Sequence, residues 1–278
     1  MQNNGKLLWR LRDEYLKAQK YEFLQLFPTF VLIALAICSL FIGSELPQYF
    51  FAVASLATLG IKIWLVGLHS QAKAASNSAR RAVMLLEGLG GTLNLINQVA
   101  LFDKLNAAIA HEETIDPKVY YASQQKKGSS RLLELVEESA FYSSKTHKAS
   151  GRFYVALIAI FAIVAAAIVL FALPKADNGT LIFLIRVLIV LSIYTLSIDV
   201  FGKWRSFKSS WSAFQSIYQR CAGIEASGAD VNDSLLLLLD YISAVEASPV
   251  TLMRAYSRKE KAKIDALWKT YLSSKLLK

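Results

Sequence analysis

"FYVALIAIFAIVAAAIVLFAL", residues 153–173, decides the class of this protein. The stretch carries no charged side chain, and it matches the roughly 20 apolar residues with which an α-helix crosses the hydrocarbon core of a bilayer. The composition agrees, because 54% of the residues are hydrophobic and only 19% are charged, whereas soluble domains are about a quarter charged. We therefore predict a membrane protein.

Three further apolar stretches have similar lengths, at residues 27–43, 49–68 and 181–201. The short polar segments "SELPQ" and "PKADNGT" separate the two members of each neighbouring pair. The predicted fold is an all-α membrane protein, with four transmembrane helices in two hairpins and a helical cytoplasmic region.

Helix-forming residues, punctuated by glycine and proline, continue outside the apolar stretches. "NLINQVALFDKLNAAIAHEE" predicts one such helix, and "DSLLLLLDYISAVEAS" predicts another that an Asp230 or Asn232 cap begins and Pro249 ends. The predicted organisation has five parts: a cytoplasmic amphipathic helix (1–26), transmembrane hairpin 1 (27–68), a cytoplasmic helical segment (69–152), transmembrane hairpin 2 (153–201) and a cytoplasmic helical tail (202–278).

Five consecutive leucines, Leu235–Leu239, point in all directions around a helix, because each residue turns the chain by about 100°. This pattern favours a core helix that is buried on more than one side. A partner-binding surface is the alternative.

Lysine and arginine are concentrated in the N-terminal arm, in the long middle segment and in the tail, and the two short turns carry almost none. Positive loops stay on the cytoplasmic side of a membrane. We therefore expect a multi-pass membrane protein with both termini cytoplasmic. The net charge of +10 then describes a basic cytoplasmic face next to the lipid bilayer, and no specific nucleic-acid partner is expected.

The residues offer little catalytic chemistry. His69, His111 and His147 are isolated in sequence, and "GLGG" at 88–91 follows a predicted helix, where glycines end a helix, rather than a strand. No nucleophile elbow is present. We expect no enzyme activity, no catalytic residue and no metal or cofactor-binding site.

Ionisable residues within the apolar stretches are the more informative feature, because each costs roughly 2.5–3.5 kcal/mol on insertion scales. Lys62 and Asp199 fall at similar cytoplasmic depth, so they could pair, and extension of Lys62 to the interface is the alternative. Arg186 can reach the outer headgroups in the same way. In an oligomer, Lys62, Arg186 and Asp199 could instead line a polar path.

Small side chains recur along the third apolar stretch. Ala159, Ala162 and Ala166 have three- and four-residue spacing, which lets another helix approach closely. The partner helix could belong to the same chain or to a second copy, and we expect a homo-oligomer.

The layout resembles the bacterial four-transmembrane effectors of nucleotide-signalling antiphage defence, the SMODS-associated four-transmembrane effectors. The resemblance rests on "SNSARRAVMLLEGLGGTLN", on "EESAFYSSK" and on a tail from the leucine run through Pro249 and Tyr256 to Leu267 and Trp268. It implies an oligomeric, membrane-disrupting or pore-forming effector that an infection signal triggers, with abortive infection as the outcome. A cyclic nucleotide second messenger or a cytosolic defence protein is then the expected partner.

Two alternatives to the effector remain at this point: a membrane-anchored scaffold or regulatory partner of a cytosolic defence complex, and a small transporter or channel subunit. Arg80 and Arg81, next to the glycine break, are the candidates for an anionic ligand. A basic pair that faces solvent or lipid headgroups is the alternative.

Overall fold

A computed structural model describes residues 3–39, 45–90, 120–123, 125–172, 179–180, 183–189, 198–228, 230–251 and 258–276. These residues are almost entirely helical, and none of them belongs to a strand. The predicted all-α class is therefore confirmed. The predicted helix at 94–113 and most of the fourth apolar stretch lie outside the described residues.

Seven longer helices make up the described chain. We label them α1 (Asn3–Leu24), α2 (Leu26–Ser39), α3 (Glu45–Gly88), α4 (Ser129–Ala167), α5 (Lys203–Ser227), α6 (Val231–Ala247) and α7 (Arg258–Leu276). A wider π-helical turn, Ile168–Ala172, follows α4, and another, Ile198–Gly202, precedes α5. Residues 183–189 are also helical.

The helix ends follow from local sequence. Gly90 and Gly228 have φ of 76° and 86°, left-handed values that suit glycine, and they lie just after α3 and α5. Asp230 caps α6, because its carboxylate accepts the Val231 N–H at 2.7 Å, and Pro249 follows the helix end.

The contacts divide the chain into two units. Unit 1 comprises Met1–Gln19, Ser70–Ser150 and Phe207–Lys278, and unit 2 comprises Lys20–His69 and Gly151–Ser206. The division therefore falls inside α1, α3, α4 and α5.

Unit 1 has a conventional hydrophobic core. Met84, Val136, Phe214 and Leu237 come from four different helices and are fully buried together. A second cluster packs Leu8 of α1 against alanines of α3, whose small side chains allow close approach. Trp268 of α7 packs on Phe141 with ring centroids 5.0 Å apart. These contacts join all the longer helices of unit 1 around one body.

The leucine run in α6 is only partly buried. Leu237 and Leu238 belong to the core, and Leu235 packs against it. Leu236 and Leu239 are 59% and 57% exposed. The helix therefore buries one face in the core of unit 1. The prediction that it is buried on more than one side is wrong for Leu236 and Leu239, which are exposed.

Unit 2 has the opposite character. Three helical stretches of the described chain, Gly5–Ser39, Pro47–Gly88 and Ser129–Phe171, are long and apolar enough to cross a membrane, and only 6% of the apolar window in the second and third is buried. Large apolar side chains there face outwards, for example Phe50, Leu56 and Ile163, which are 68–70% exposed. Such a continuous apolar surface is what lipid covers in a membrane protein.

Candidate functional site

Unit 1 contains a cavity of about 430 Å³, here called the Arg80 cavity. Cations, hydroxyl groups and aromatic rings line it, and no Asp or Glu is among the described residues that do so. Its volume lies within the range of about 300–1,000 Å³ that small-molecule sites occupy. The polar and aromatic lining residues are Arg12, Tyr15, Gln19, Lys73, Asn77, Arg80, Tyr120, Tyr142, Ser143, Thr146, His147, Ser150, Phe214, Ser248 and Thr251.

Helical periodicity brings these side chains to one place. On α3, Lys73, Asn77 and Arg80 follow a spacing of four and three residues, so they lie on one face. Ser143 and His147 share a face of α4 in the same way. The cavity therefore lies where polar stripes of these helices meet.

Arg80 is held in this cavity by neutral groups. Its Nη1 donates to the Tyr241 hydroxyl at 3.2 Å, and its guanidinium lies 5.5 Å from the centroid of the Tyr15 ring. Burial by itself lowers the pKa of Arg80, but the phenol oxygens of Tyr241 and Tyr15 outweigh it and raise the pKa. The guanidinium is therefore always charged.

Arg81 lies elsewhere, although it is the next residue. Its Nη2 lies 2.6 Å from Oε1 of Glu246, and both side chains are about half exposed. Arg81 is not among the residues that line the cavity. Of the two predicted anion-ligand candidates, Arg80 lines this cavity and Arg81 does not.

Lys73 contributes charge and also stabilises a helix end. Its Nζ donates to the carbonyl oxygens of Glu246 at 2.9 Å and Ser248 at 2.7 Å. These carbonyls belong to the C-terminal end of α6, where a cation is favourable. Lys73 therefore fixes the segment that carries Ser248 to Thr251 at the cavity.

His147 lies against the same segment. Its Nδ1 is 2.7 Å from the carbonyl oxygen of Ser143, and its Nε2 is 3.2 Å from that of Pro249. Burial lowers the pKa of His147 to about 4, with a smaller contribution from the cations Arg80 and Lys73, although the two carbonyls act in the other direction. The imidazole is therefore neutral near pH 7.

Hydroxyl groups close the cavity on the side of α1. The Tyr15 hydroxyl lies 2.7 Å from Oγ1 of Thr251, and the Gln19 amide donates to the same atom at 3.4 Å. These residues are more than 230 positions apart in sequence, so only the folded chain brings them together.

A neighbouring cavity of about 710 Å³ shares Arg12, Arg80, Tyr120 and Tyr142 with the first. Its lining includes two carboxylates, Glu138 and Asp265, and Glu138 accepts the Ala122 N–H at 3.0 Å. Burial, and then the neighbouring Glu134, raises the pKa of Glu138 to about 7, although the Ala122 N–H lowers it. Close to neutral pH, Glu138 is therefore only partly ionised and contributes less than a full negative charge to this cavity.

A second polar feature lies in unit 2. Glu22, of which 4% is exposed, has one carboxylate oxygen 2.6 Å from Nζ of Lys203 and the other 3.3 Å from Nε2 of His69. The cluster ties α1, α3 and α5 together just outside the apolar stretches. Sequence reasoning missed Glu22 and Lys203, because no spacing rule relates three such distant positions.

The structure describes the side chains of two of the three candidate intramembrane charges. Arg186 is exposed on the helical segment 183–189, and Lys62 is half-buried within α3. The Asp199 side chain lies outside the described residues, so its pairing with Lys62 stays a prediction. Ala159, Ala162 and Ala166 are all exposed on α4.

No group of His, Cys, Asp and Glu that could hold a metal ion occurs within the described ranges. Comparisons of the whole chain with protein-family models, with curated proteins and with solved structures found no match. The chemistry of the site therefore has to be inferred from its own residues.

Proposed function

We propose that this protein is an oligomeric membrane effector of bacterial antiphage defence, in which unit 2 perturbs the bilayer and unit 1 receives the infection signal. The observation that carries the proposal is the contrast between the units. Unit 2 exposes long apolar helices, whereas unit 1 buries a core of its own around a cationic cavity without carboxylates in its described lining. One part is suited to lipid and the other to a soluble anion.

The proposed topology has four spans in two hairpins, with both termini on the cytoplasmic side of the inner membrane. The lengths of α3 and α4 support it. A helix of 44 residues is about 66 Å long at about 1.5 Å per residue, roughly twice the hydrocarbon thickness. Part of each helix would therefore lie outside the membrane, and the lysine and arginine distribution supports the cytoplasm as that side.

The proposed oligomer uses the alanine face of α4. Ala159, Ala162 and Ala166 are exposed in the single chain, so their small side chains are open to a second copy. In such an oligomer, Lys62, Arg186 and Asp199 would lie near a polar path.

Membrane potential provides the direct test. The protein is expressed in a bacterial host, with and without phage infection, while a potential-sensitive dye and growth are followed. Depolarisation that coincides with growth arrest is the expected result. Growth arrest with an intact potential would contradict the effector role.

Two matched variants sharpen this test. Ile163→Lys places a charge in the exposed apolar part of α4, at a cost of roughly 2.5–3.5 kcal/mol for insertion, and should abolish depolarisation. Leu236→Lys places the same charge on the exposed face of α6 in unit 1, and should leave depolarisation unchanged.

A membrane-anchored scaffold is the second candidate, and the exposed Leu236 and Leu239 favour it. These two large apolar side chains, on the exposed face of α6, offer a contact for a cytosolic defence protein. Three results together would favour the scaffold over the effector. Leu236→Lys would lose toxicity, Ile163→Lys would retain it, and a cytosolic protein would co-purify with the wild type but not with Leu236→Lys.

A further inference from the structure

A short segment of unit 1, residues 120–123, lies against α4 and is here called the strap. Its last three residues have no regular secondary structure, so their polar groups need partners outside the segment. Glu138 accepts the Ala122 N–H with both carboxylate oxygens, at 3.0 and 3.3 Å. The Ser123 hydroxyl donates to Glu134, and the Ser123 carbonyl oxygen accepts a hydrogen bond of 3.1 Å from Arg131. Spacings of three and four residues place these α4 side chains on one face, which holds the strap.

The strap forms part of the wall of the cavity of about 710 Å³, here called the Glu138 cavity. Tyr120 and Tyr121 both line this cavity. Tyr121 is 5% exposed and belongs to the same buried cluster as Leu8 of α1 and Ala79 of α3. Release of the strap would therefore open the cavity to water and expose the Tyr121 ring.

The carboxylate of Glu138 is buried with little to balance its charge. The residue is 8% exposed, and no cation of the described chain lies within 4 Å of its carboxylate. Glu134, one helical turn away, adds a second negative charge. Burial and this like charge favour the neutral acid, whereas water favours the ionised form. A proton on Glu138 therefore stabilises the closed strap.

Every element around the Glu138 cavity contributes a charged or titratable group besides Glu138. Those groups are Arg12 of α1, Arg80 of α3, Tyr120 and Tyr121 of the strap, Tyr142 of α4, Tyr241 of α6 and Asp265 of α7. Two contacts engage four of them, because Arg80 donates to Tyr241 and the Tyr142 hydroxyl donates to Asp265 at 3.0 Å. Burial raises the pKa of Tyr120 and Tyr121, so both stay neutral near pH 7, and the arginines stay charged. Glu138 is thus the lining group that burial brings to titration near neutral pH.

We propose that the strap is a proton-controlled closure of the Glu138 cavity: neutral Glu138 keeps it closed, and ionised Glu138 favours its release. The inference goes beyond the proposed function and does not depend on it, because it describes a response of unit 1 alone.

Proton linkage gives the direction of the response. The pKa of Glu138 is about 7 with the strap closed, against an ordinary value of 4.5 in water. Between these values the closed form binds a proton that the open form lacks, so each unit of rising pH favours opening by up to about tenfold. The contribution of the proton to the closed form is complete below pH 4.5 and is lost as the pH rises through 7.

Hydrogen exchange of the full-length protein in detergent tests the strap, with Glu138→Gln as the comparison. Glutamine keeps an oxygen that accepts the Ala122 N–H, and it cannot ionise. The strap sequence is the same in both proteins, so the ratio of their exchange rates cancels the intrinsic pH dependence. Between pH 6.0 and 7.5, exchange of the peptide that contains residues 120–123 should accelerate about 5- to 10-fold more in the wild type than in Glu138→Gln. An equal pH dependence in the two proteins, or the opposite sign, would overturn the proposal.

The core of unit 1 provides an internal comparison. Residues 234–242 of α6 include core side chains such as Leu237. At pH 7.5 the strap should be protected from exchange at least about tenfold less than these residues, because its release leaves the core intact. Equal protection would mean that the strap opens only when unit 1 unfolds as a whole, and would contradict the proposal.

Glu134→Gln tests the surroundings of Glu138, and it keeps the test valid if Glu138→Gln does not fold. It retains an acceptor for the Ser123 hydroxyl but removes the like charge. The acceleration of strap exchange levels off near pH 7 in the wild type, and in this variant it should level off roughly 0.4 pH units lower or more. Glu246→Gln removes the same charge outside the cavity and should leave this pH unchanged. Equal shifts in the two variants would show that the titration does not belong to Glu138, and would overturn the proposal.

Discussion

The guanidinium of Arg80 donates a hydrogen bond of 3.2 Å to the hydroxyl of Tyr241, so a full positive charge is held inside unit 1 by a neutral partner. Two exposed arginines of the same chain lie against carboxylates, Arg81 against Glu246 and Arg220 against Asp240. The more deeply buried Arg131 lies 3.6 Å from Glu87. No described carboxylate is paired with Arg80.

The pH dependence of stability should report on His147. Its pKa is about 4 in the folded chain and about 6.5 when unfolded, so the unfolded chain binds more protons between these values. The contribution of neutral His147 to the free energy of unfolding should therefore be fully present above pH 6.5. The free energy of unfolding should decrease by up to about 3 kcal/mol as the pH falls towards 4. Thermal unfolding of wild type and His147→Gln between pH 4 and 7 measures this difference. A constant difference across that range would contradict it.

Removal of the charge of the buried Glu22 should destabilise the protein more than removal of the charge of an exposed glutamate. Glu22→Gln leaves Lys203 without its counter-charge, and we expect a loss of about 1–3 kcal/mol, reduced from the value for full burial because Lys203 is 29% exposed. Glu225→Gln is the control, since Glu225 is 40% exposed and also lies 2.6 Å from a lysine, Lys275. Thermal unfolding in detergent should show less than about 1 kcal/mol for the control. Equal losses would argue against a structural role for the cluster.

Gly88 lies at a close approach of two helices. A Cβ at this position would lie 2.7 Å from Cδ1 and 3.0 Å from Cα of Leu132, so backbone as well as side chain would have to move. Gly88→Ala should destabilise the protein by about 1–3 kcal/mol. Gly223→Ala, within α5 and with nothing within 4 Å of the new Cβ, should be neutral or stabilise by up to about 1 kcal/mol. Chemical or thermal unfolding of the two variants side by side measures this difference in stability. Equal stabilities of the two variants would contradict the close approach at Gly88.

The alanine face of α4 should determine assembly. Ala162→Leu enlarges the middle of this face and should lower the oligomeric fraction in native mass measurements, because it prevents close helix approach. Ile163→Leu alters a neighbouring exposed position at constant volume and should leave the distribution unchanged. An unchanged oligomer in Ala162→Leu would move the interface elsewhere.

Arg80 and Arg81 illustrate how far the candidate site could be predicted. Their positive charge and their place beside the glycine break are visible in sequence, and they identify a candidate for an anion. A helix turns by about 100° between them, so the two side chains must diverge. Which of the two faces inwards depends on where α1, α4 and α6 pack, and this is a property of the folded chain.

His147 shows the opposite case. It has no companion ligand in sequence, and its role comes from Pro249 and Arg80, which are distant from it along the chain. No motif records such a neighbourhood. A polar stripe on α4, with Ser143 four residues before His147, was the one available signal.

The apolar stretches and the helix-breaking residues determined the all-helical class and the three described helices that can cross a membrane, because both depend on local composition and on the length of a helix. The Arg80 cavity and the Glu22 cluster were decided by tertiary structure alone. Each of them joins residues from at least three helices, and charge in a protein acts through distance in space rather than through position in sequence.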